Sequence, residues 1–471
     1  MGRPQPEGPA NGGPWPPDVQ KQAHAPLRRI TLGAATTSIL VQTRQYRLIT
    51  PLFGGSATPG VNDLNLPIRA PEVRGQLRFW WRAIRGGQPE FEGRLEKMKA
   101  REDEIWGAAS TTPGREKTGE KKDTARVWQE PVQICIDIIK PGASIDLFEI
   151  EERQKRGKNV FTANFRDLSP DYDPFLAYIA FALQPSRREL DAAQTREDIV
   201  LKRLLGGVVF SLTLSFPAMW LAEIEAALWA WETFGGVGAR TRRGFGTMLL
   251  RKKDGKEIEA EQLPPARPPD ASTWLRERIL HYAGDGEYSQ EQIPHIDTKT
   301  RLRMSGPSRH ATAVWKQLID ALRKFRQGPD RAVWPEAREL RRILHTDTQG
   351  NGPAGTFPRA AFGLPIVFHL AHEHPATTIT LQGKEDGKER RASRLILKPL
   401  PCRREQFLGL ALIIDGAAWP EGDLVLLNEQ GVLQQTISHA QIEVPAGASS
   451  ALSGLIGQET DILQAFLDTL K

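Results

Sequence analysis

The sequence predicts an α+β fold, and three observations predict it. Long β-branched and aromatic runs such as 208–221 read as buried strands. Segments such as 72–84 and 311–326 carry apolar residues at helical spacing. The two kinds of segment are mixed without a regular strand–helix alternation. The chain has 471 residues, 39% hydrophobic and 25% charged. That is enough to bury a sizeable core and to form two domains of about 200 residues.

In chain order, residues 1–28 are rich in Pro, Gly and Gln without a continuous apolar stretch, and read as a disordered leader and not a signal peptide. Gln45–Leu52 reads as a strand. Glu72–Ile84 reads as a helix opened by Pro71 and closed by Gly86-Gly87, and Glu90–Trp106 as a second helix. Ser110–Ala125 is charged and turn-rich, a loop. Arg126–Lys140 reads as a strand, demoted by Pro131 to an edge or a break. Val208–Leu221 is a buried strand, Leu221–Phe234 a helix, and Thr247–Arg251 a strand beyond a glycine-rich basic loop at 235–246. The Pro-rich stretch 263–270 reads as a linker between domains at 29–262 and 271–471. Beyond it, Ala311–Arg326 is an amphipathic helix. Arg359–His369, Thr377–Leu381, Ser393–Leu400, Phe407–Asp415 and Asp423–Leu427 read as strands, and Glu459–Leu470 as the last helix.

Two cysteines, Cys135 and Cys402, exclude a disulfide scaffold and a four-cysteine zinc site, and suit a reducing compartment such as the cytoplasm. No run of 18 apolar residues spans a membrane. His369-Leu-Ala-His-Glu-His374 has neither zincin spacing, so no metal or cofactor is expected. Net charge is +6, compatible with an anionic partner, so the placement of the charge must decide.

Residues 69–85 carry five Arg and one Glu. On a wheel of about 100° per residue, Val73, Leu77, Trp80, Trp81 and Ile84 form a core face. Arg74, Arg78, Arg82 and Arg85 form an adjoining stripe, with Arg69 near the helix start. Four like charges in one stripe repel by a few tenths of a kcal/mol per pair at about one turn's spacing. Either an anionic backbone along the stripe or carboxylates from elsewhere in the fold would relieve that. Trp81, at the border of the two faces, is either a base-stacking candidate or core.

The most specific segment is Gly235-Gly-Val-Gly-Ala-Arg-Thr-Arg-Arg-Gly-Phe-Gly246. It follows a helix and lacks the dinucleotide-binding spacing. From Gly235 to Lys253 there are six basic residues and no acidic one. Bare backbone at Gly235, Gly236, Gly238, Gly244 and Gly246 would let a phosphodiester approach. Arg240, Arg242 and Arg243 would neutralise it, with Phe245 a stacking candidate.

This loop resembles the glycine-rich loop of the RAMP superfamily of CRISPR proteins. Thr50-Pro-Leu-Phe-Gly-Gly55, Arg74-Gly-Gln-Leu-Arg-Phe-Trp-Trp-Arg82 and Glu104-Ile-Trp-Gly107 are similar to the first-subunit family of type III-B (Cmr) effector complexes. So are Phe325-Arg-Gln-Gly328, Trp334-Pro-Glu336, Phe362-Gly-Leu-Pro-Ile-Val-Phe368 and Ser393-Arg-Leu-Ile-Leu-Lys398. The resemblance implies two ferredoxin-like domains, each an antiparallel sheet with helices on one face, related to the RNA-recognition fold. It implies a non-catalytic role in holding the 3′ region of guide RNA and/or target RNA. The neighbours would be the repeated backbone subunit and the sixth subunit. No second glycine-rich loop of comparable quality is present in the C-terminal half.

In that half, residues 323–342 hold seven basic and three acidic residues with Phe325 and Trp334 interleaved, the composition of a stacking and phosphate surface. Arg326, Arg301, Arg303, Arg359 and Arg394 are its RNA-contact candidates. Two other readings stay open. A metal-independent endoribonuclease would use His281, His295, His310 or Tyr46 as its base. A structural subunit would turn the basic faces toward acidic protein neighbours.

Overall fold

The computed structural model of the chain describes residues 38–54, 63, 66–108, 131–155, 157–166, 175–284, 293–328, 334–345, 356–370, 377–385, 388–416, 419–442, 450–457, 459 and 461–470. The expected leader at 1–28, the expected loop at 110–125, and His372 and His374 lie outside the described residues.

The first half is built on β1 (Ile39–Leu48), α1 (Ala70–Arg85), α2 (Leu95–Trp106), β2 (Gln133–Lys140), a hairpin of β3 (Phe148–Lys155) and β4 (Lys158–Phe165), β5 (Val209–Pro217), α3 (Leu221–Phe234), β6 (Met248–Lys253) and β7 (Lys256–Glu257). The sheet runs β2-β5-β1-β6-β7, antiparallel throughout. Without the β3–β4 insertion and the short β7, this is the strand–helix–strand–strand–helix–strand order of a ferredoxin-like unit, with α1 and α3 on one face. β2 lies at the sheet edge, where Pro131 two residues earlier costs no ladder bond. The β3–β4 hairpin was not legible in the sequence: its strands are charged and lie largely exposed outside the main sheet.

Alternation along β1 is strict. Gln42, Arg44, Tyr46 and Leu48 are buried under the helices, and Val41 and Arg47 are exposed. The buried Arg44 is matched by Glu225 (2.5 Å) and Glu232 (2.8 Å) of α3. Burial alone would raise the Glu225 carboxyl. Arg44 outweighs it, with hydrogen bonds from Gln42 and Lys253, and holds the group down at about 2.

The second half begins with α4 (Pro268–Ala283), so residues 268–270 of the expected linker form a first helical turn, where proline costs no backbone bond. Then follow β8 (Leu302–Ser308), α5 (Ala311–Gln327), α6 (Glu336–His345), β9 (Ile366–Leu370), β10 (Thr377–Gly383), β11 (Leu395–Cys402), β12 (Gln406–Ile413), β13 (Leu424–Asn428), β14 (Leu433–Ile437) and α7 (Ile462–Asp468). Arg359 sits in a short 3-10 turn, Pro358–Phe362, instead of a strand. The sheet β8-β12-β11 with α5 and α7 repeats the ferredoxin-like order as far as its third strand, and β9-β10-β13-β14 is a separate antiparallel sheet inserted into it.

The three-stranded sheet is buried on both faces. Leu395, Leu397, Ala411 and Ile413 pack under α5 and α7. Ile396, Leu400, Leu408, Leu410 and Leu412 pack on the other side, in the core that holds Trp81, Trp231, Leu275 and Ile279 of α1, α3 and α4. Each such buried aliphatic side chain contributes about 1.5–3 kcal/mol, so the two halves are held as one body by a shared core. The cost falls on Lys398, in the middle of β11 and 0% exposed. Its Nζ donates to the carbonyls of Gly235 (2.7 Å) and Glu232 (3.2 Å) at the end of α3.

Burial pushes the Lys398 ammonium down from the ordinary 10.5 to about 7, partly offset by Glu232. The unfolded chain therefore keeps a proton that the folded chain sheds, and stability rises with pH between about 7 and 10.5. Lys398→Met should flatten that rise, measured as urea midpoints across the window. A pH slope unchanged by the substitution would show that Lys398 is not its source.

Candidate nucleic-acid interface

The arginine stripe of α1 forms as its spacing predicts, and α2 lies across it. Glu102, 1% exposed, accepts from Arg78 Nε at 2.7 Å and from Arg82. Arg78 also reaches Asp103 (3.3 Å) and the Gly107 carbonyl (2.9 Å). Arg74 donates to the Trp106 carbonyl at 2.7 Å. Arg85 pairs with Glu223 at 2.6 Å. The repulsion within the stripe is thus relieved by carboxylates and carbonyls of the same chain. Glu102 escapes a reading of 69–85 because it lies on a separate helix; its signal is a lone acidic residue among the apolar positions Met98, Ile105 and Trp106. A groove of about 320 Å³ remains open along Ala70, Pro71, Arg74, Gly75 and Arg78, and Arg69, just before the helix, is half-buried. Burial, then Arg78, lowers the Arg74 guanidinium from its ordinary value.

Trp81 is corrected from stacking candidate to core. It is fully buried, and its Nε1 donates to Glu223 at 2.6 Å. Phe245 is corrected likewise: it is fully buried, edge-on to Trp315 at 5.1 Å. Phe325 and Trp334 are buried together at 5.8 Å.

The glycine-rich loop wedges between the halves, and its backbone is taken up by the protein itself. Gly236 O accepts from Trp231 Nε1 (3.0 Å), and Gly238 N donates to Glu72 (2.5 Å). Gly244 O accepts from Thr50 (2.6 Å), and Arg243 O from Trp315 Nε1 (2.7 Å). The close approach that requires glycine is therefore by protein atoms, not by a phosphodiester. A Cβ at Gly235 would lie 2.4 Å from Trp80 Nε1, and at Gly236 2.9 Å from Gly246 O. Gly244 (φ +87°) is pressed on Trp315, and Gly246 (φ +60°) lies where a Cβ would fall 1.9 Å from Val237 O.

The loop's arginines are partly buried and serve carbonyls. Arg240 donates to Ile179 O (2.8 Å). Arg242 donates to Ser393 O and stands over the Phe79 ring. Arg243 donates to Leu395 O (2.8 Å) and Ser393 Oγ (2.9 Å). Burial pushes Arg242 down to about 10 and Arg243 to about 9, the latter with help from the charge of Arg326.

The C-terminal candidates are engaged as well. Arg301 pairs with Asp461 (2.7 Å) and Asp415 (3.2 Å), and Arg303 with Asp468 (3.2 Å). Arg326 reaches the Tyr178 hydroxyl (3.2 Å), and Arg359 meets Glu336 (3.2 Å). Arg394 holds Ile414 O (3.0 Å) and Asp415. The open face of the first sheet presents Thr43, Gln45, Ser211, Thr213, Cys135 and Asp137, while Tyr46, Phe210 and Phe216 point to the helices. Among these described positions it carries no ring of the kind on which RNA-recognition domains stack bases.

Residues 45–248 match the family model of the RAMP superfamily, a span that runs from β1 to the start of β6 and includes α1 and the glycine-rich loop. The more particular likeness is to the CRISPR system Cmr subunit Cmr1-2 of Pyrococcus furiosus. It is 23% identical over 204 residues, which are 43% of this chain and 91% of that protein. The resemblance drawn from the motifs is thus met by both comparisons. Among solved structures, Cmr1 from Pyrococcus furiosus in its apo form aligns with TM-score 0.46 and 15% identity, over 81% of this chain and 90% of that one. A chain of the type III-B Cmr-beta complex bound to cognate target RNA aligns with TM-score 0.44 and 10% identity, over 91% and 99%.

Gly246→Ala should destabilise the fold by about 3 kcal/mol or more, because strain and a backbone clash coincide. Denaturant midpoints test this, and a loss below about 1 kcal/mol would mean that the loop gives way freely.

Proposed function

We propose that this chain is a non-catalytic RNA-binding subunit of a type III-B CRISPR effector complex, holding the 3′ region of guide RNA and/or target RNA in the cytoplasm. The repeated backbone subunit and the sixth subunit would be its neighbours. The observation that carries this reading is the match of residues 45–248 to the RAMP superfamily together with the likeness to the Cmr1-2 subunit over the same length. No helix among the described residues is long and apolar enough to cross a membrane, and no group of three or more His, Cys, Asp or Glu among them could hold a metal.

Contact would run through the groove of α1, where Arg69, Arg74, Arg78 and the outer edge of Arg82 meet phosphates. Recognition of backbone would leave the guide sequence free to vary. The arginines of the glycine-rich loop would act indirectly, by fixing the two halves relative to each other. A purely structural assembly role is favoured by one observation, the engagement of Arg78, Arg82, Arg301 and Arg394 with carboxylates of this chain.

Titration of the purified chain into labelled single-stranded RNA in EDTA separates these readings. A shift that weakens with salt, by about 0.7 in log–log slope per phosphate, with intact RNA, is the expected result. Discrete fragments on a denaturing gel would make the chain an endoribonuclease. Absence of a shift, with tight association to partner subunits, would make it an assembly subunit.

A further inference from the structure

A cleft of about 360 Å³ opens between the two halves. Arg47, at the end of β1, lines it from one side, and Arg309, in the turn before α5, from the other. Both side chains are exposed, and neither makes a hydrogen bond or ion pair among the described residues. That sets them apart from every arginine singled out above by sequence. Among the described residues no Asp or Glu lines the cleft. His310 and Thr312 add polar groups, and Leu48, Ala311 and Phe407 form an apolar floor.

The physical consequence follows from the charge. Two guanidinium groups share one opening without a carboxylate between them, beside a low-dielectric floor that screens them less than open water would. An anion seated there relieves their repulsion and accepts from both. The N-terminal end of α5, a helix of 17 residues, adds a dipole of the same sense. A helix end alone would attract an anion only weakly; the two arginines, brought from separate halves, supply the charge. Planar guanidinium forks suit phosphate oxygens, and such contacts position a backbone without reading its bases.

We infer that this cleft clamps a phosphodiester of single-stranded RNA between Arg47 and Arg309, with His310 and Thr312 as further polar contacts. The inference rests on the RNA-binding reading above and adds the place where the strand crosses from one half to the other. Arg47 is the exposed arginine of its strand, and Arg309 lies a few residues beyond Arg301 and Arg303, whose side chains are paired.

The test uses the full chain, labelled single-stranded RNA and a salt series. Arg47→Gln combined with Arg309→Gln should weaken binding about 10-fold or more and reduce the log–log salt slope by about 0.7, the value for one phosphate on a single strand. Lys155→Gln with Lys158→Gln removes the same charge from the exposed β3–β4 hairpin and should leave both within about twofold of wild type. Equal melting temperatures would exclude misfolding. Binding by wild type with unchanged affinity and slope in the Arg47/Arg309 variant would overturn the cleft assignment alone, as would an equal loss in the lysine control. Failure of wild type to bind RNA would overturn this inference together with the reading on which it rests.

Discussion

The burial of strand β11 on both faces is the constraint on which the rest of the structure depends. A half-exposed antiparallel strand would alternate apolar and polar residues, yet Leu395–Cys402 is buried at every position, Lys398 included. A buried lysine must find acceptors. The acceptors are the carbonyls of Glu232 and Gly235, which α3 leaves open at its C-terminus. The glycine-rich loop therefore departs from a point already tied to the second half. Its close turns past Trp231, Trp315 and Thr50 then complete the seam.

That seam decides which surfaces meet solvent. The second sheet gives up its otherwise open face to α3 and α4, so it offers no platform for bases. The first sheet keeps an open face, but Thr, Ser and Gln occupy it and its rings point inward. On the proposed function, nucleic acid is met by cationic grooves, with phosphate contacts doing most of the holding.

The arginines divide by environment. Arg78, Arg82 and Arg85 on α1, and Arg301, Arg303, Arg359 and Arg394 in the second half, are matched by carboxylates, whereas Arg74 and Arg326 rest on a carbonyl and a hydroxyl. Those of the glycine-rich loop rest on carbonyls, and burial lowers their affinity for protons. Arg47 and Arg309 remain at the mouth of the cleft. A run of basic residues thus reports cationic chemistry without saying whether its partner is RNA or the chain's own backbone. On α1 the helical spacing places the arginine stripe, but its partner Glu102 comes from a separate helix.

Much of the local structure was determined by the sequence alone. The α+β class, the faces of α1, the limits of α3 and α5, and the edge position of β2 all follow from periodicity, capping and proline chemistry, which act over a few residues. The glycine-rich loop was legible as an unusual segment, and its likeness to a family was legible with it. Only the tertiary structure decided what that loop's glycines approach, which guanidinium groups are spent on Glu102, Asp415 and Asp461, and why Trp81 and Phe245 are core. It also decided that Arg47 and Arg309 share a cleft. The physical reason is range: helix and strand signals are set by neighbours in the chain, whereas the partner of a charge is set by whichever distant segment the packed core brings beside it.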